Sequence, residues 1–158
     1  MRPEWRRGRR LAIDWGKARV GVAACDPDGL LAVPVETVPR NEASIARITA
    51  LATEYDAFEV LVGLPVSLAG GDTASTADAR AFAGELATAT GRPVRLVDER
   101  LSTVSAHAAL RESGRSQRSS RRIVDQVAAV VLLQQAIDVE KGTGTPAGVL
   151  MSDPQEPA

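Results

Sequence analysis

LAIDWGKARVGVAACD, Leu11 to Asp26, contains two apolar runs separated by a short turn, and the first run closes on a single carboxylate, Asp14. Residues 10–15 and 19–25 read as two strands joined by the WGKA turn. Burying an isolated carboxylate costs several kcal/mol unless a positive or hydrogen-bonding group meets it. An acid at the end of a core strand therefore needs a partner, and a metal ion is one candidate.

LLAVPVETV makes a third strand whose internal proline suits an edge position, so the chain should open with an antiparallel β-meander. From Asn41, an expected N-cap, Ile45, Ile48, Leu51 and Tyr55 recur at helical spacing and predict a helix over 42–54. EVLVGLP is a continuous apolar run ending in Gly63 and Pro65, the pattern of a strand buried on both faces in a parallel sheet. Phe82 and Leu86 place a helix at 75–89, stopped by Gly91 and Pro93 before the short strand VRLVD. Ser102 or Thr103 can cap a further helix that reaches Glu112, and a last helix, 118–139, starts basic and becomes apolar through VAAVVLLQQAI. The expected organisation is a basic extension over 1–9, one α/β domain over 10–140 and a disordered tail over 141–158.

The 158 residues are 44% hydrophobic, which suits a single core. With 19 Lys and Arg against 20 Asp and Glu, the formal net charge is −1, so no global positive field announces a nucleic-acid partner and any such partner must be held locally. Local clusters exist. Five arginines lie in MRPEWRRGRR, and Arg111, Arg115, Arg118, Arg121 and Arg122 fall in one stretch leading to Asp125. Seventeen of the basic residues are arginine, the side chain that grips phosphate through two parallel bonds. Cys25 is the one cysteine, and no Cys/His set suits zinc, which fits a reduced cytoplasm. The N-terminus lacks the apolar segment of a secretory signal, and VAAVVLL is far too short to span a membrane, so the expected location is cytoplasmic.

In an open sheet, sites form beyond the carboxyl ends of parallel strands. Asp14, the Gly63–Pro65 segment, and Asp98 with Glu99 close three such strands, and Asp125 lies where the last helix passes from basic to apolar. Each acid alone has an ordinary reading: a strand-end turn for Asp14, pairing of Glu99 with Arg100, a first-turn helix acid for Asp125. Taken as a set they favour a site, since crowded carboxylates repel unless a cation neutralises them. Magnesium, a hard ion that takes one or two carboxylates and leaves room for water and phosphate, points to hydrolysis at phosphorus.

IDWGKARVGVAACD, VGLP at 62–65, VDERLSTVSA at 97–106 and IVDQVAAVVLLQ, in that order, resemble the YqgF family, also called RuvX, over about residues 10–138. Its members are described as ribonuclease H-like, as Holliday-junction resolvase-like and as pre-16S rRNA nucleases. The resemblance implies a ribonuclease H-like α/β fold: a mixed five-stranded sheet, an antiparallel meander followed by parallel strands, with helices on both faces. It lends Asp14, Glu99 and Asp125 the role of catalytic carboxylates binding Mg2+ or Mn2+, and sets Arg19 and Arg100 at family positions near phosphate. Arg118, Arg121 and Arg122 join them as candidate phosphate contacts, and Asp98 is a candidate supporting acid. Two departures stand out: Ala18 precedes Arg19 where the family often has a basic pair, with the lysine moved to Lys17, and three acids match where a two-metal site usually draws on four. Either Asp98 contributes, substrate phosphate completes the second ion, or one metal suffices.

The implied function is a metal-dependent phosphodiester hydrolase that processes the 5′ end of pre-16S rRNA, with resolution of branched DNA as the alternative. Two rivals belong to other classes: a nucleotide-binding protein of the same superfold and a non-catalytic RNA-binding scaffold. Trp5, Trp15, Tyr55, Phe58 and Phe82 leave little to stack on bases, so recognition should rest on backbone phosphates and shape, as in structured RNA, precursor rRNA or branched DNA. A two-fold junction would want a homodimer, whereas RNA trimming is open to a monomer. His107 and Cys25 read as packing or surface residues, not as catalytic groups.

Overall fold

A computed structural model of the chain describes residues 5–65, 71, 73–98 and 117–151, with the backbone alone for 117–125. Strand β1 (Arg10–Trp15) turns into antiparallel β2 (Arg19–Cys25), with Leu11 opposite Ala24 and Asp14 opposite Gly21. The Gly16 N–H donates to the Arg19 carbonyl at 3.0 Å and closes the turn. Strand β3 (Ala32–Pro39) follows on the far side of β2, an edge where its prolines break no ladder. The register slips between Val22 and Ala23, which face Glu36 and Pro34, leaving Val35 as a bulge residue.

Helix α1 (Ser44–Glu54) begins later than the expected Asn41 cap. The Asn41 side chain accepts from the Ala43 N–H at 2.8 Å while its own N–H donates to Ser44 Oγ at 2.7 Å. Asn41 thus closes the turn that precedes the helix. Strand β4 (Glu59–Leu64) lies parallel to β1, helix α2 (Ala74–Thr90) follows, and β5 (Val94–Asp98) lies parallel to β4. A reciprocal Thr73/Thr76 capping box starts α2, the Thr76 hydroxyl also donates to the Pro65 carbonyl, and left-handed Gly91 ends it. Helix α3 (Gln117–Thr143) and the short β6 (Val149–Leu150) complete the order β3-β2-β1-β4-β5-β6. The helix expected from Ser102 or Thr103 to Glu112, with His107, lies outside the described residues.

Strand alternation divides the core in two. Leu11, Ile13, Val60, Val62 and Leu96 face α1 and α2 through Ile48, Leu51, Phe82 and Leu86. Ala12, Ala23, Cys25, Leu61 and Val97 face α3 through Ala129, Leu132, Leu133 and Ile137. Small residues on the second sheet face let the long helix approach closely. Each fully buried Leu or Ile stabilises by about 1.5–3 kcal/mol. Among the described residues no helix is long and apolar enough to cross a membrane.

Segments near both ends of the chain are tied into the fold. The sheet has six strands where five were expected, because part of the supposed disordered tail joins it: Val149 and Leu150 pair antiparallel with Leu96 and Arg95, and the Met151 N–H donates to the Val94 carbonyl at 2.7 Å. The exposed edge of β5 offers backbone groups that repay ordering a Gly- and Thr-rich segment. Near the other end, Arg6 within the basic segment 1–9 is held by acids of the domain. Its guanidinium bonds Glu59 and Glu140, and Trp5 donates to the Pro27 carbonyl at 3.1 Å.

Candidate functional site

Asp14 is the fifth residue of β1 and, like Ala12, projects from the face that α3 covers. It is half-buried, beneath a glycine-lined row. Thr37 of β3 sits opposite Gly21 of β2, and Gly21 opposite Asp14. On the other side, Ile13 pairs with Val62, so the strand next to Asp14 continues into Gly63, itself opposite Val97. Gly21 and Gly63 carry no side chain, and a glycine inside a strand is the kind of position at which a ligand can approach the sheet closely.

Helix α3 crosses this row. Gln126 Nε2 donates to Thr37 Oγ1 at 2.7 Å, which fixes that turn of the helix above the Thr37–Gly21–Asp14 line. Asp125 precedes Gln126 on the described backbone, one turn before buried Ala129; its side chain, and those of Arg118, Arg121 and Arg122, are not among the described ones. Glu99 and Arg100 lie outside the described residues. Asp98 ends β5 opposite Leu64 and is exposed. Alternation from buried Val97 sets it on the α2 face, away from Asp14, and β4 lies between their strands. Among the described residues no three His, Cys, Asp or Glu side chains converge on one point. Arg19 opens β2, half-exposed, and Cys25 is buried in β2, where desolvation raises its thiol pKa and disfavours the thiolate.

The turn between β1 and β2 is braced from the α2 side by residues to which no sequence motif points. Trp15 stacks on Phe82 with ring centroids 3.8 Å apart and planes within 7°. The Arg40 guanidinium lies over the outer face of Trp15 at 4.3 Å, donates to the Gly16 carbonyl at 2.9 Å and pairs with Asp78 at 2.6 Å. Trp15 Nε1 donates to the same carboxylate at 3.1 Å. The Arg40 bond holds the Asp78 carboxyl below its ordinary range against the opposing desolvation. Lys17 and Arg19 are thereby carried on a stiff turn.

A hard oxygen donor beside two glycines fits a small divalent cation better than it fits a soft metal, whose ligands would be thiolates or imidazoles. Asp14 would supply one of its ligands. Sheet order, crossover strands and flanking helices, with an acid closing β1, define a ribonuclease H-like α/β protein. The chain belongs to the RuvX family, described as Holliday junction resolvase, which it matches over residues 8–139. It is 58% identical to a protein of Clavibacter michiganensis subsp. michiganensis named "Putative pre-16S rRNA nuclease", over 92% of each chain. A Streptomyces coelicolor relative of the same name is 52% identical over 92% of this chain and 89% of its own. The structure of T. thermophilus RuvC in complex with a Holliday junction substrate superposes with a TM-score of 0.55, at 18% identity over 88% of this chain and 99% of that one, a likeness of fold. Family and relatives make the chain a phosphodiester-hydrolysing enzyme whose substrate is nucleic acid.

Proposed function

We propose that this protein is a Mg2+- or Mn2+-dependent nuclease that processes the 5′ end of pre-16S rRNA in the cytoplasm, with Asp14, Glu99 and Asp125 as its metal-binding carboxylates. The observation that carries the reading is the position of Asp14, half-buried at the carboxyl end of β1 between Gly21 and the Gly63 segment, under the turn of α3 that bears Gln126. Two neighbours in the chain support the other acids. Glu99 follows Asp98, which ends β5 at the same edge of the sheet, and Asp125 precedes Gln126. The names of the curated relatives support the substrate.

A divalent cation bound there supplies water activation and charge neutralisation. The chain's own part is to hold the carboxylates ionised, to exclude bulk water by packing α3 across the row, and to orient the scissile phosphate. Arg19, on the braced turn, meets a phosphate oxygen, and Arg100, Arg118, Arg121 and Arg122 take the flanking ones. Asp98 helps fix the segment leading to Glu99.

Resolution of branched DNA is the second reading, favoured by the family description. It calls for a two-fold homodimer with paired sites, whereas trimming works in a monomer. The two are separated by offering a precursor 16S fragment and a four-way junction of equal length, with magnesium, to the protein and its Asp14→Asn variant. Cutting of the RNA alone, lost in the variant, is the expected result. Symmetric junction cutting with intact RNA would transfer the assignment to the resolvase.

A further inference from the structure

Beside the Asp14 row, an open groove lies along the hairpin of β2 and β3 and the turn of α3 that bears Gln126, lined by Ala18, Arg19, Glu36, Thr37, Pro39 and Gln126. Its one acid does not repel phosphate as a bare charge would. Glu36 is clasped by Arg47 through bonds of 2.9 and 2.6 Å, and that contact lowers its carboxyl pKa. Arg19 supplies the positive charge of the lining. The polar floor is the Thr37–Gln126 pair.

That pair has a specific chemistry. The Thr37 hydroxyl accepts from the Gln126 amide, so its own proton is directed elsewhere, and the carboxamide retains an oxygen that accepts. A donor and an acceptor side by side complement a ribose 2′-hydroxyl, which is itself both. None of the described residues that line the groove is aromatic, so stacking offers no competing mode among them; Trp15 and Phe82 are committed to each other, and Trp5 and Phe58 flank Arg10. Thr37 stands two strand spacings from Asp14, about 10 Å, or roughly two to three stacked nucleotides at about 3.4 Å each.

We infer that this groove seats the RNA strand beside the scissile phosphate, and that Thr37 and Gln126 read a ribose 2′-hydroxyl two to three nucleotides from the cut, selecting RNA over DNA. The inference deepens the proposed nuclease reading and rests on it for the position of the cut. The Asp14→Asn protein with magnesium is titrated by fluorescence anisotropy against a precursor-derived RNA strand, the same strand with single 2′-deoxy substitutions walked along it, and the all-DNA strand. DNA is expected to bind about tenfold more weakly, the worth of one or two hydrogen bonds, with one deoxy position carrying most of the loss. Thr37→Val and Gln126→Met, each added to that background and checked by melting temperature, should lose a similar factor on RNA and become insensitive to that deoxy position. Equal binding of RNA and DNA, or variants that keep the deoxy effect, would overturn the assignment. Ribose discrimination that persists while the unmutated protein cuts no RNA would sink the nuclease reading and leave the groove; cutting without discrimination would do the reverse.

Discussion

Arg10 and Glu140 meet at 2.9 Å with their side chains only 2% and 4% exposed, tying the amino end of β1 to the last part of α3. The carboxyl end of the same strand carries Asp14, and the first third of the same helix includes Asp125. Residues 125 and 140 are about 22 Å apart at 1.5 Å per residue. Strand and helix are therefore pinned at the pole opposite the one where β1 carries Asp14. Arg6 joins the pin, bonding Glu140 at 2.7 Å and Glu59 at 3.0 Å, and Arg95 closes on Glu59 at 2.8 Å.

Removing one partner from a buried ion pair costs about 3–5 kcal/mol because the other charges stay buried. Glu140→Gln keeps the shape, so the lower end is expected: a loss of about 3 kcal/mol in urea unfolding at pH 7, with the slope unchanged. Burial pushes the Glu140 carboxyl up, but the bonds from Arg6 and the charge of Arg10 outweigh it, and the net pKa is lowered. A depressed carboxyl contributes stability above its unfolded value, about 4.3, and loses it as pH falls through the folded one. The gap between the two proteins should thus be constant from pH 7 to 5 and shrink as pH drops below about 4.

Arg40→Ala should release the turn between β1 and β2 without unfolding the protein, since Arg40 is partly exposed and its contacts are worth about 1–2 kcal/mol. Three readouts follow. Trp15 fluorescence shifts as its outer face is uncovered, the Asp78 carboxyl titrates closer to its ordinary range, and KM for the nucleic acid rises more than kcat falls because Lys17 and Arg19 lose their fixed platform.

Gly148 has a φ of +77°, and a Cβ there would collide with the Leu96 carbonyl oxygen. Gly148→Ala combines about 1–2 kcal/mol of left-handed strain with that clash. Detachment of β6 is expected, seen as faster amide exchange in β5 and a total loss of about 2 kcal/mol or more.

Much of this architecture is legible in the chain. The apolar runs at 10–15 and 19–25, the proline-bearing edge strand and the doubly buried run at Glu59–Leu64 agree with the observed strands because their patterns report burial directly. Asp14 is readable for the same reason, as a charge ending an apolar run. The buried ion network is not: Arg6, Glu59, Arg95 and Glu140 are distant in sequence and look like surface charges until the fold gathers them. The Arg40–Trp15–Asp78 brace and the Thr37–Gln126 pair are hidden likewise, each joining elements whose adjacency only strand order determines. The strand at Val149–Leu150 escapes composition because its partner, the open edge of β5, exists only after folding.

The most direct measurement is a magnesium titration of precursor-rRNA cleavage by the protein and by Asp14→Asn, with melting temperature and RNA binding followed in parallel. Cutting that saturates with the ion, stops with chelator and falls about a hundredfold or more in the variant, while fold and RNA binding persist, is the predicted outcome. Undiminished cutting by Asp14→Asn, or cutting that continues in chelator, would contradict a cation held by the acid at the end of β1.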